Sequence, residues 1–199
     1  KAGIRPGDKI LDVGCGDGTA AAFIKERFGC EVIGIDKAEE AVKKAKAAGV
    51  DARVGDASAL EFVSRSFDTV IMECVFSVLN RQEEAIHEAF CMIKPGGSLI
   101  ISDLYCREPD MERYAKDYKE AMAQFRHPRK DGECGNDEIF KSPYCQDGAV
   151  VLDGLYGLLE ELDLEVELCE DRTDDLKTFA AQAIMKYGSL EAFFKANGS

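Results

Sequence analysis

The stretch Leu11-Asp12-Val13-Gly14-Cys15-Gly16-Asp17-Gly18-Thr19 decides how the rest of this chain is read. A short apolar run, 9–13, feeds directly into three glycines at every second position, and a segment of helical period starts at Thr19. Glycine suits a chain that turns sharply and brings bare backbone against a ligand that a Cβ would hold off. A strand, a glycine loop and a helix in that order place a nucleotide-like ligand at the switch point of an open α/β sheet.

The same alternation continues outward. Short apolar runs at 31–35, 51–54, 67–72 and 98–103 read as strands, and the segments at 19–28, 38–48 and 82–93 between them carry helical period. Gly49 closes the second helix as a C-cap, and Lys94-Pro95-Gly96-Gly97 stops the third. This is the pattern of a doubly wound, mostly parallel α/β sheet with helices on both faces. Further along, 106–147 holds three of the five prolines and a charged tract, with helical period only over 111–125. It reads as an insertion after the fifth strand, where a lid would lie. A helix over 148–162, a sixth strand over 164–169 and a helical tract over 174–194 complete the expected order within a single domain, 1–199.

Charge separates two kinds of ligand for the glycine loop. The dinucleotide fingerprint is G-x-G-x-x-G, whereas here the third glycine falls one residue early and Asp12 stands two residues before the first. A carboxylate there repels a diphosphate and suits an ammonium or sulfonium cation, which argues against NAD and for S-adenosylmethionine. Asp36, closing the second strand, is placed to accept ribose hydroxyls. Asp56, in Val54-Gly55-Asp56-Ala57, can reach an adenine amino group. With Pro95-Gly96-Gly97 ahead of the fifth strand, residues 9–105 resemble the class I S-adenosylmethionine-dependent methyltransferases. The resemblance implies a Rossmann-like sheet of order 3-2-1-4-5-7-6, S-adenosylhomocysteine as product, and cofactor-binding residues Asp12, Gly14, Cys15, Gly16, Gly18, Asp36, Lys37, Asp56, Ala57 and Glu73. A seventh strand has no counterpart in the periodicity.

The acceptor side rests on less. Ile71-Met72-Glu73-Cys74-Val75-Phe76-Ser77-Val78-Leu79-Asn80 leaves the carboxyl edge of the fourth strand, which places Glu73 and Cys74 beside the reacting methyl group. Ser142-Pro143-Tyr144-Cys145-Gln146-Asp147-Gly148-Ala149 can fold back over that edge. Together the two segments resemble the arsenite methyltransferase branch, which implies Cys74 and Cys145 as soft thiolate ligands for trivalent arsenic. Cys106 or Cys134 would have to stand in for a further cysteine of that branch. The catalytic candidates are Glu73, Cys74 and Cys145, with His127 a candidate base. Cys15, Cys30, Cys91 and Cys169 read as small buried hydrophobes, and His87 as a helix-surface residue. No metal-binding motif is present.

Composition narrows the classes further. A net charge of −13 excludes the basic face that a nucleic-acid partner needs. No apolar run is long enough to cross a bilayer, and the opening KAGIRPGDK lacks a signal-peptide layout. Eight cysteines without a C-x-x-C pair are expected as reduced thiols in a cytoplasm. The reading is thus an enzyme methylating a small-molecule acceptor, with no nucleic-acid or membrane partner and an unknown oligomeric state. A non-catalytic S-adenosylmethionine-binding protein and an NAD-dependent oxidoreductase are the alternatives.

Overall fold

A computed structural model of the chain describes residues 3–125, 144–146 and 148–196. Five strands form one parallel sheet: β1 (Lys9–Val13), β2 (Glu31–Asp36), β3 (Asp51–Val54), β4 (Phe67–Glu73) and β5 (Ile93–Ser102), in the order β3-β2-β1-β4-β5. Between them run helices α1 (Thr19–Phe28), α2 (Glu39–Ala47) and α3 (Gln82–Met92). The order reverses at β1, so the loops after β1 and β4 leave the same edge on either side of the switch point.

Strand alternation sorts the core into two layers. Leu11, Val13, Ile33, Ile35, Val70 and Met72 point to one face, where Ala85, Ile86 and Ala89 of α3 cover them. Ile10, Val32, Ala52 and Ile71 point to the other, against Ala21 of α1 and Val42 and Ala45 of α2. Helices therefore cover both faces, as the apolar runs require. Helix α1 has glycine at both ends in the left-handed region, Gly18 at φ 81° and Gly29 at φ 67°, and the Gly29 N–H donates to the Lys25 carbonyl.

Three expectations need correction. Residues 164–169 form no strand. Their apolar positions alternate, yet Val166 and Leu168 are exposed and Cys169 with them, because alternation makes a strand only where a partner ladder exists. Among the described residues the sheet thus has five strands, and the sixth strand of the sequence reading is absent from it. The helix expected over 148–162 is shorter. It is α5 (Leu152–Glu161), preceded by a small antiparallel hairpin of β6 (Cys145–Gln146) and β7 (Ala149–Val150). Asp147-Gly148 is the turn signal there, with Gly148 at φ 76°, and the β-branched Val150 and Val151 favour extended backbone over helix. Strand β5 also begins earlier, at Ile93, with an irregularity before Ser98 pairs with Thr69.

The helix α4 (Met111–Phe125) stands where helical period predicted it; the rest of the expected lid, 126–143 and 147, with His127 and Cys134, lies outside the described residues. Although the sequence reads as one domain, the chain divides into two compact units, Lys1–Leu164 and Glu165–Ser199. The second holds α6 (Thr173–Tyr187) and α7 (Leu190–Ala196), joined by Gly188 at φ 86°. The Phe193 ring packs edge-on against Phe179 and Tyr187. No helix of the described residues is long and apolar enough to cross a membrane.

Candidate functional site

Register explains why three carboxylates meet at the carboxyl edge. Asp12 pairs with Gly34 on β2 and Ile71 on β4. Asp36 and Glu73 each lie two residues beyond those partners, so all three side chains fall on the same face of the sheet by alternation. Their environments differ. Glu73 is exposed. Asp36 is half-buried and accepts the Gly16 N–H at 2.9 Å and the Ala38 N–H at 2.8 Å. Asp12 is 2% exposed, and its Oδ2 has no hydrogen-bond partner among the described residues. Burial, reinforced by Glu73 and then Asp36, pushes the Asp12 carboxyl up to about 7.

The glycines of the loop serve different ends. A Cβ on Gly14 would stand 2.4 Å from a methyl of Val75, and one on Gly18 would stand 2.8 Å from the Cβ of Ala45. Both are demanded by the protein's own packing, in a left-handed backbone that disfavours a side chain anyway. A Cβ on Gly16 would meet nothing within 4 Å, although this residue too has a positive φ, 54°. Gly16 thus presents bare backbone to open space, with its N–H on Asp36, one of the two carboxylates that act on Asp12. The N–H groups of Gly14 and Cys15 both donate to the Ile35 carbonyl, which fastens the loop to β2.

Cys15 contributes packing through its side chain. Its Sγ would lie 2.6 Å from a Cβ on Gly34, so Gly34 is glycine to make room for it. Burial, then Asp12 and Asp36, pushes its thiol up to about 12. Asp56 caps its own turn, accepting both the N–H and the Oγ–H of Ser58, and stays exposed with Lys37 Nζ 3.9 Å away. These bonds, those from Ser58 leading, hold its carboxyl below the usual range. The neighbouring Ala57 is buried in the larger core layer. His87 is exposed on α3.

On the acceptor side, Cys74 is an exposed thiol in the left-handed region, φ 52°, fixed by its N–H donating to the Ser102 carbonyl. Desolvation, then Asp103 and Glu73, pushes that thiol up, away from thiolate. The hairpin leads back to this edge: β7 packs on the 3₁₀ turn Phe76–Val78 after β4, and Val150 bridges Tyr105 after β5. Cys145 sits on β6, described by its backbone alone. Sequence reasoning missed Asp103. It accepts the Ser77 N–H at 2.9 Å and the Ser77 Oγ–H at 2.8 Å, tying the loop after β4 to the end of β5. The rule that singled out Asp36, a carboxylate closing a strand at the ligand edge, also covers Asp103.

This geometry fits a cationic ligand: a buried carboxylate oxygen lacks a partner among the described residues, and the glycine cradle of the same loop would be filled by a Cβ. Comparison with known proteins points the same way. A family model described as a methyltransferase domain matches residues 11–101. Phosphoethanolamine N-methyltransferase 1 of Arabidopsis thaliana is 33% identical over 115 residues, 55% of this chain and 23% of that protein. The ubiquinone/menaquinone biosynthesis C-methyltransferase UbiE of Cereibacter sphaeroides is 34% identical over 122 residues, 57% of this chain and 49% of that protein. The chain therefore spans half or less of the length of these curated relatives. Haemonchus contortus phosphoethanolamine N-methyltransferase 2, solved in complex with S-adenosyl-L-methionine, superposes with a TM-score of 0.67 at 20% identity. That match covers 98% of this chain and 42% of the other, and at this identity it speaks for the fold. Residues 11–101 thus resemble a methyltransferase domain in sequence, and they lie on a Rossmann-like α/β fold.

Proposed function

We propose that the protein is an S-adenosylmethionine-dependent methyltransferase that acts on a small-molecule acceptor. The observation that carries this reading is the pairing of a buried, unpartnered Asp12 oxygen with the open backbone at Gly16. The carboxylates of Asp12 and Asp36 would hold the cationic and ribose parts of the donor, and Asp56 with Ala57 and Lys37 its adenine end. When bound, that donor supplies an electrophilic methyl group. The chain itself would position the acceptor and keep water out between the loop after β4 and the 106–147 insertion. The relatives named for phosphoethanolamine and for quinones both take small acceptors by their names, which agrees with this substrate class.

Calorimetric titration with S-adenosylhomocysteine and with NAD tests the donor. Heat from the thioether alone is expected, and heat from NAD alone would replace this reading with an oxidoreductase. Turnover of methyl-labelled donor over a panel of amines, quinols, thiols and metalloids tests the acceptor. Donor binding with no turnover on any of them would make the chain a sensor or scaffold. The narrower metalloid reading, with Cys74 and Cys145 as thiolate ligands and Glu73 beside them, asks for a thiolate where Asp103 and Glu73 favour the thiol. Arsenite bound stoichiometrically and lost in Cys74→Ser would establish it, and unchanged binding in that variant would remove it.

A further inference from the structure

The acidic corner of the glycine loop has an unbalanced charge problem, and the way the chain can solve it has a measurable consequence. Three carboxylates share that corner, but only Asp12 is out of water. Asp36 is compensated by two backbone N–H donors and Glu73 by solvent. Asp12 has an orphan oxygen in a layer whose sheet neighbours are Ile10, Gly34 and Ile71. Among the described residues the charges acting on it are Glu73 from β4 and Asp36 from β2, both negative. The thiol that adjoins it in the loop, Cys15, is itself held protonated and brings no countercharge. A carboxylate buried without a partner next to two like charges takes up a proton rather than stay ionised.

We propose that Asp12 holds a proton in the chain alone and gives it up to solvent when a cationic ligand enters the glycine-loop crevice, so that donor binding releases a proton near neutral pH. The balance is simple: a carboxylic acid and a cation become a carboxylate–cation pair and one proton in the buffer. This rests on the donor reading above and adds a regulation to that same site. The upward push on the Asp12 carboxyl, to about 7, agrees with the geometry and sets the range in which the coupling shows. Donor affinity should then fall about tenfold for each pH unit below that range and level off above it.

The experiment is calorimetry of S-adenosylmethionine binding to the full chain at pH 6 and pH 7, each in two buffers of different ionisation enthalpy. The window stays below pH 7.5 because the ligand's own α-amino group titrates near pH 8. Nearly one proton released per ligand at pH 6, and about half of one at pH 7, is expected from a carboxyl at about 7. The variant Asp12→Asn has no proton to give up, so whatever binding heat remains should be the same in both buffers. Binding heats that are the same in both buffers would overturn the coupling and leave the donor reading standing. A release that persists in Asp12→Asn would also overturn it. A folded protein that gives no heat at either pH would overturn both.

Discussion

The loops that leave β1 and β4 touch one another through Gly14 and Val75, yet they are specified in different ways. In the first loop, the residues that answer the constraints are consecutive: two glycines pressed against Val75 and Ala45, one facing open space, and a buried carboxylate just before them. In the second, the constraints arrive from far along the chain. Ser102 holds Cys74, Asp103 holds Ser77, and Ala149–Val150 packs on the 3₁₀ turn. A site half built from one contiguous unit keeps its chemistry in a short motif. A half assembled from three separate segments can change its substrate by changing any of them, and its chemistry has no motif to carry it.

The largest effects should fall on the first loop, and they should split by glycine. Gly14→Ala forces a Cβ to within 2.4 Å of Val75 in a backbone at φ 76°. A loss of about 3–5 kcal/mol in unfolding free energy is expected from overpacking and left-handed strain together. Gly16→Ala meets no atom of the described residues within 4 Å, so only the strain remains, about 1–2 kcal/mol. It should nonetheless weaken S-adenosylhomocysteine binding at least tenfold. Chemical denaturation and calorimetry on the two variants break the comparison if Gly16→Ala binds normally, because the open backbone would then face no ligand.

Asp12→Asn comes next and reverses the usual sign. The Asp12 carboxyl is raised from 3.8 to about 7, so its favourable contribution is complete below pH 4 and is lost as pH rises to about 7. At pH 8 the folded chain carries a buried charge that the amide lacks. The variant should therefore melt at a higher temperature than the parent at pH 8, by the equivalent of up to about 4 kcal/mol, and match it near pH 4. Donor affinity should fall in the same variant. A stabilised protein that binds worse would mark Asp12 as a group kept for its ligand rather than for the fold.

Both kinds of legibility have a physical cause. The glycine loop, Asp12 and Asp36 could be read because strand, loop and helix follow one another in sequence and the three glycines fall at regular spacing between them. The same holds for strands β1 to β4, whose apolar runs match the structure closely. What could not be read depended on partners. Leu164 to Cys169 alternate like a strand, and nothing in those six residues reveals whether a ladder is there to receive them. Ala149 and Val150 read as the start of α5, although their hairpin partner Cys145–Gln146 is local, because the bridge that anchors Val150 comes from Tyr105, far back in the chain. Asp103 lay within reach of the rule that picked out Asp36, but its partner, Ser77 in another loop, did not.

Ser77→Ala probes that second loop and should have the smallest effect on stability. It removes the Oγ–H donor at 2.8 Å from Asp103 and leaves the backbone N–H bond in place, so the loss should be about 1 kcal/mol. Its value lies in which constant moves. Ser77 follows β4, away from the glycine loop, so the dissociation constant for S-adenosylhomocysteine should stay within twofold. A turning-over acceptor should show a raised KM, because the loop that presents Cys74 and Glu73 is tied down by one bond fewer. If the donor constant moves instead and the acceptor KM does not, the two loops are not separable in function. The contact between Gly14 and Val75 would then join them into one donor-binding unit, and the acceptor surface would have to be sought elsewhere on the carboxyl edge.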